Sequence, residues 1–307
     1  MTLVFTPGGA DVSAVGVTLA SMAYAPDRDT IVQLLGTGSL STGGAWSLVW
    51  YATDSPNQVF VAYDAGADQY AIAIRGSVTD PHSPGFWSDW FNQDLRVFHL
   101  VDWSYGGAPS GAKISKGSDD GLASLMGMTD TSLNQTLVQF FTANPPANVV
   151  AVIGHSLGGA LATVLAPWLQ QQLTSAPMFW PVTYAGPTAG NAVFAQWLED
   201  DYAMTTNRYF NTNDVVPHGW WDIGWIKSSF TPAPSFPFEL VPLVDAIEGV
   251  ISLEKADYTQ PGAGTSFDNP VIVNVSWYAD AGAQHSCSGT YVPMCGAVKF
   301  DNGSSGN

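Results

Sequence analysis

The sequence predicts an α/β protein, a mostly parallel central sheet with helices on both faces. Three observations carry that expectation. Short β-rich runs alternate with helical stretches along the 307 residues. One run, Val149-Val150-Ala151-Val152-Ile153, is apolar at every position, which marks a strand buried on both faces. The hydrophobic fraction of 46% is enough for one large core or two smaller ones, and no Ser/Gly/Pro linker divides the chain. Residues 1–301 are therefore expected to form a single domain, with 302–307 a disordered tail too small and polar to pack.

Taken in order, Val12 to Ala25 is apolar, bounded by Asp11 and Pro26, and predicts an N-terminal helix. Trp46–Ala52, Val59–Tyr63 and Tyr70–Arg75 predict three strands. Turn formers at Asp54-Ser55-Pro56-Asn57 and Asp64-Ala65-Gly66 separate them, so they should form a meander at a sheet edge. A helix is expected over Thr131–Thr142, stopped by Asn144-Pro145-Pro146. After the apolar strand comes a helix over Leu157–Leu173, kinked by Pro167. Further strands are expected at Val182–Tyr184, Arg208–Asn211 and Val271–Val275, and helices at Ala192–Leu198 and Pro242–Lys255.

Charge narrows the function classes. With 26 acidic against 9 basic residues the net charge is −17. Nucleic acids and anionic membrane surfaces reward Lys/Arg patches, so neither is an expected partner. No apolar run reaches the length of a membrane span. Met1-Thr2-Leu3-Val4-Phe5 lacks the basic region and long apolar stretch of a signal peptide, so the protein is intracellular or lost a leader upstream of this numbering. Asp119-Asp120 and Asp200-Asp201 read as solvated surface and not as metal ligands, and no metal or cofactor is expected. Cys287 and Cys295 are either a short-loop disulfide or two reduced thiols.

The sharpest motif is Gly154-His155-Ser156-Leu157-Gly158-Gly159. The G-x-S-x-G pattern alone is weak, but here it falls where a buried strand ends and a helix begins. A serine there sits on a tight turn that needs small residues two before and two after it, as Gly154 and Gly158 are. The helix N-terminus behind it favours developing negative charge.

The stretch from Val152 to Ala162 resembles the nucleophile elbow of the class 3 (fungal-type) lipases. Four more segments fall in that family's order: Ile74-Arg75-Gly76-Ser77, Asp89-Trp90-Phe91-Asn92-Gln93-Asp94-Leu95, Tyr184-Ala185-Gly186-Pro187 and Asn213-Asp214-Val215-Val216-Pro217. The resemblance covers roughly residues 45 to 220 and one late histidine. It implies an α/β-hydrolase fold with a lid segment over the active site, and hydrolysis of carboxylic esters without a cofactor. The implied partner is an ester or lipid substrate, met in the case of a lipase at a lipid–water interface, and secretion is the implied location. Phospholipase A1, feruloyl-type esterase and acyltransferase chemistry run on the same machinery and stay open as alternatives. A non-catalytic relative would have lost the serine, acid or histidine, and all three are present.

Such a serine needs a histidine to take its proton and a carboxylate behind that histidine, in the chain order Ser, acid, His. Only His218 and His285 follow an acid downstream of Ser156. His218 is four residues from Asp214 in one loop, too local to reach the serine while using that acid. His285, in a loop after the expected strand Val271–Val275, stands where the family's base does. Asp214 ends a strand and carries the family's Asn-Asp-x-Val-Pro setting, unlike Asp222, Asp245, Asp257, Asp268 and Asp280. His155 should point away from the pocket, and His82 and His99 belong to the surface or lid. The oxyanion donors are expected at the backbone of Leu157 and, by the resemblance, of Ser77, whose hydroxyl Asp94 would hold.

Phe86, Trp87, Trp90 and Phe91 share one helical face in the family's lid position, and are either lid or core. The preceding Thr79–Gly85 insertion, rich in Pro and Gly, departs from a simple helical lid. The aromatics Trp220, Trp221, Trp225, Phe230, Phe236 and Phe238, interleaved with Pro232, Pro234 and Pro237, either line the pocket or pack on the core.

Overall fold

The computed structural model describes residues 10–54, 57–77, 80–93 and 99–303. Period-two burial builds its centre. In β2 (Asn57–Asp64) Val59 and Val61 face one core while Phe60 and Ala62 face another. The same division splits β3 (Gln69–Ile74), β6 (Val150–His155) and β7 (Phe179–Tyr184). A strand whose two faces are both covered must be apolar throughout, and every residue of β6 and β7 is buried. Each Val or Ile side chain so buried contributes roughly 1.5–3 kcal/mol.

The sheet has seven strands in the order β1-β2-β3-β6-β7-β8-β9, with β1 (Trp46–Asp54), β8 (Arg208–Asn211) and β9 (Thr265–Phe267) completing it. β1, β2 and β3 form the antiparallel meander, and every later pairing is parallel. β4 (Leu100–Asp102) and β5 (Lys113–Ser115) make a separate two-stranded ribbon. This is the α/β-hydrolase fold.

On one face lie α4 (Lys116–Gly127), α5 (Leu137–Ala143), α6 (Leu157–Gln172), α7 (Ala192–Tyr202) and the one-turn α8 (Met204–Asn207). On the other lie α1 (Ala10–Met22), α2 (Arg28–Leu35) and the chain around Tyr291. A third cluster joins α3 (Pro84–Gln93), the segment from Val215 to Phe230, α9 (Val241–Leu253) and α10 (Trp277–His285).

Several expectations are corrected. Val271–Val275 is not a strand: Asn274 adopts φ 73° in a turn, and Ile272, Val273 and Val275 are exposed. The seventh strand is β9, six residues earlier. The helix expected from Thr131 starts at Leu137, because Thr136 and Gln139 form a capping box there while Asp130 binds the N–H groups of Ser132 and Leu133 in a turn. The helix expected over Leu157–Leu173 is present as α6, with Pro167 inside it. The tail does not begin at Asn302, which is buried and donates from Nδ2 to the Ser21 carbonyl at 3.0 Å. Residues 304–307 lie outside the described residues.

Cys287 and Cys295 are free thiols. The chain between them is not an open loop but a five-residue π-helical turn, Cys287–Tyr291, running into the one-turn α11, Val292–Met294. Burial pushes both thiols up, that of Cys295 to about 12.

Candidate active site

The strand-to-helix turn after β6 sets Ser156 in a backbone conformation, φ 59° and ψ −131°, that non-glycine residues rarely adopt. Only glycine fits beside it. A Cβ on Gly154 would lie 2.0 Å from the Gly158 carbonyl oxygen, and one on Gly158 would lie 2.3 Å from that of Ile74. The turn is pinned from the next strand, as Ser156 N–H donates to the Tyr184 carbonyl at 2.9 Å. Such a residue is strained, and strain of this kind collects at functional sites.

Two distant residues meet Ser156. The Ser156 hydroxyl lies 2.8 Å from Nε2 of His285, whose Nδ1 lies 2.8 Å from Oδ2 of Asp214. An imidazole facing a carboxylate through Nδ1 carries its proton there, which leaves Nε2 to accept from the hydroxyl. Asp214, in the loop after β8, is fully buried, and its charge is met from three directions. Oδ2 also accepts from the Tyr291 hydroxyl at 2.8 Å, and Oδ1 accepts from Val216 N–H at 3.0 Å. Three donors therefore fix the carboxylate of this buried side chain in place.

His285 does not sit in a loop. It is the last residue of α10, whose N-cap Ser276 accepts from Ala279 N–H. Its side chain lies in the last helical turn, so the helix that carries the ring is packed from Trp277 onward.

His155 points away from the cleft and supports His285 from behind. Its Nε2 lies 2.9 Å from the His285 carbonyl oxygen, so Nε2 is the donor, and Nδ1 accepts from the Tyr24 hydroxyl at 2.9 Å. Burial, and then the neighbouring His285, push its pKa well below the usual histidine value, so it stays neutral.

His218 is committed elsewhere. Its ring stacks on Trp225 at 3.8 Å, and its Nδ1 approaches Asp222 rather than Asp214. Burial lowers its pKa. His82 pairs with Asp80 on the surface, and His99 is exposed. Of the other acids, Asp245 pairs with Lys227, Asp268 accepts from Thr212 and Asn213, and Asp280 accepts from Ile272 N–H.

The Leu157 N–H opens α6 and has no acceptor within the helix. Gly76 abuts Ser156: a Cβ there would lie 3.1 Å from Ser156 Cβ, which brings the Ser77 backbone to the same cleft. Asp94 lies outside the described residues, as does the side chain of Phe91. Phe86 and Trp87 are buried, with the Phe86 ring 6.4 Å from that of His285 and Trp87 Nε1 donating to the Pro81 carbonyl. Trp90 is half-buried. In the second aromatic segment Trp220 and Phe230 are buried, whereas Trp221 and Phe238 are exposed. Tyr291, Tyr24 and the amide network of Asn211 and Gln284 carried no signal in the sequence. Their roles come from contacts across 70 or more residues.

The sequence profile Lipase (class 3) matches residues 72–220, the stretch that holds Ser77, Ser156 and Asp214. Residues 72–220 belong to the class 3 lipase family. Among curated relatives of this class 3 lipase segment, Phospholipase A(1) DAD1, chloroplastic, from Arabidopsis thaliana is 31% identical over 184 residues, covering 54% of this chain and 39% of the relative. The secreted mono- and diacylglycerol lipase 1 of Fusarium solani is 25% identical over 185 residues, covering 56% and 50%. The chain thus spans half or less of the length of these two relatives. The crystal structure of M37 lipase superposes with a TM-score of 0.77 at 25% identity, covering 89% of both chains. The likeness to that lipase structure extends beyond residues 72–220 over most of the fold.

Among the described residues no helix is long and apolar enough to cross a membrane, and no group of three or more His, Cys, Asp or Glu is placed to hold a metal ion.

Proposed function

We propose that this chain is a carboxylic ester hydrolase of the lipase or esterase type, with Ser156 as nucleophile, His285 as base and Asp214 as acid. One observation carries the reading: the unbroken chain of two 2.8 Å hydrogen bonds from Ser156 through His285 to Asp214. The Ser156 oxygen attacks the ester carbonyl carbon as its proton passes to His285 Nε2. The carbonyl oxygen gains negative charge and is met by the N–H groups of Leu157 and Ser77. Collapse breaks the bond to the alcohol, which leaves with the proton from His285. Water then repeats the sequence on the acyl-serine and releases the acid. Asp214 keeps its charge throughout and stabilises the imidazolium. α3, lying over His285, acts as the lid.

The name of the Arabidopsis relative favours a second substrate, a phospholipid cleaved at its first acyl ester. Hydrolysis of p-nitrophenyl esters, triacylglycerol and phosphatidylcholine by the wild type, Ser156→Ala, His285→Ala and His218→Ala separates these readings. Ser156→Ala and His285→Ala should fall by at least about a thousandfold, and His218→Ala should stay active. A Ser156→Ala protein that keeps about a hundredth of wild-type turnover or more contradicts the assignment.

A further inference from the structure

A cavity of about 160 Å³ runs beside the nucleophile turn. Leu157, Ala160 and Leu161 line it along one face of α6, and Ser118 at the start of α4 lies among the opposing residues. Trp220 is the one aromatic among the described residues that line it.

Three features set Trp220 apart. Its backbone stands at φ 77°, a conformation that is a true outlier for a bulky residue and persists only where the surroundings over-determine it. Its indole stacks on Trp90 of α3, with ring centroids 5.0 Å apart and planes 22° from parallel. The residue before it is clamped as well. Thr188 donates to the Gly219 carbonyl from both N–H (3.2 Å) and Oγ1 (2.8 Å), and a Cβ on Gly219 would lie 3.0 Å from the Trp90 ring. Trp220 is thereby fixed between α3 and the cavity, 3% exposed.

We propose that Trp220 is the residue that sets acyl-chain length, its indole serving as a wall of the acyl slot that Trp90 holds in position. The inference rests on the ester-hydrolase reading at Ser156. The acyl group, unlike the alcohol, stays bonded to Ser156 through the second half of the reaction, so a side pocket next to Leu157 suits it while the alcohol must leave to solvent. At roughly 30 Å³ per water-sized unit, the cavity holds about five heavy atoms, an acyl chain of about four to six carbons. Longer chains must displace Trp220. Because Trp90 belongs to the helix that covers His285, undocking α3 would release this wall together with the cleft.

The test is kcat/KM on p-nitrophenyl acetate, butyrate, octanoate and laurate, all below their solubility limits, for wild type, Trp220→Leu, Trp220→Ala, Trp90→Ala and Ser156→Ala, with a melting curve for each. Wild type should fall from butyrate to octanoate. In Trp220→Ala the octanoate-to-butyrate ratio should rise by about tenfold or more, with Trp220→Leu between it and wild type and Trp90→Ala moved the same way. Trp220 variants that melt cooperatively and lose rate equally on all four esters, or keep the wild-type ratio, overturn the proposal. If truncation to Ala unfolds the protein, Trp220→Leu and Trp90→Ala decide, and unchanged ratios in both overturn it. A Ser156→Ala protein as active as wild type would sink the hydrolase reading instead, a different failure from a flat chain-length profile.

Discussion

Removing one oxygen atom from Tyr291 should damage both stability and turnover. Its hydroxyl donates to Asp214 Oδ2 at 2.8 Å and accepts from Asn211 N–H at 3.1 Å, in a site with no solvent access. Burial and the Asp214 charge raise its pKa well above the usual value, so it remains a donor at every working pH. Tyr291→Phe keeps the ring and leaves two groups short of a partner. A hydrogen bond to a buried charge is worth about 1.5–3 kcal/mol, and an orphaned buried N–H costs about 1–3 kcal/mol. The two share one atom and do not add fully, so the expected loss is about 2–4 kcal/mol. With a urea m-value of about 3 kcal/mol/M, the unfolding midpoint should fall by roughly 1 M. Asp214 keeps its contacts to His285 and Val216, so the site survives with a less well stabilised carboxylate. On p-nitrophenyl butyrate kcat should drop by about tenfold, near 1.4 kcal/mol, with KM unchanged. A variant with the wild-type midpoint would refute the contact. A lower midpoint with unchanged kcat would confine the hydroxyl to holding the fold.

Two further outcomes are expected. His155 is buried neutral, its folded pKa well below the unfolded value of about 6.5. The unfolded chain therefore takes up a proton that the folded one refuses, so stability present above about pH 6.5 is lost as pH falls, by up to about 1.4 kcal/mol per pH unit. His155→Gln, which keeps an amide donor for the His285 carbonyl, should flatten the melting temperature between about pH 6.5 and 5. Burial of His218, in the same direction, leaves a residual slope. Equal slopes in the two proteins would count against the assignment. Gly154→Ala places a methyl 2.0 Å from the Gly158 carbonyl oxygen, where backbone rather than a flexible side chain blocks it. Destabilisation of about 3 kcal/mol or more should follow, seen as a lower urea midpoint with activity lost in proportion, and a wild-type midpoint would show that the turn can relax.

The parts that were legible in the sequence share one property, that short-range chemistry dictates them. The apolar run at β6 can only be a strand covered on both faces, and Gly154 and Gly158 are needed by a turn spanning five residues. Arg208–Asn211 and the three-strand meander follow from local alternation and turn formers in the same way. The readings that failed are those where apolar composition was taken for periodicity. Val271 to Val275 has the composition of a strand, but Asn274 breaks it into a turn, and the buried positions Trp277, Ala281, Gln284 and His285 repeat at helical spacing just beyond. That spacing was readable and would have placed His285 on a helix.

The supporting contacts were beyond reach for a different reason. Nothing near Tyr291 in the chain marks it as a donor to Asp214, 77 residues away, nor does Tyr24 announce a bond to His155 131 residues on. Each depends on which faces of distant elements the sheet brings together. Asn211 shows how such contacts set the site. As the last residue of β8 it pairs with Phe267 of β9, and its buried amide accepts from Asn213 and Asn269 N–H while donating to Gln284 of α10. One side chain therefore ties the loop that carries Asp214 to the helix that carries His285. In the proposed mechanism a misplacement of about 1 Å between Asp214 and His285 would cost about a hundredfold in turnover. The polar network around Asn211 can thus matter to function while leaving no motif, because its requirement is a distance between two elements and not a pattern within either.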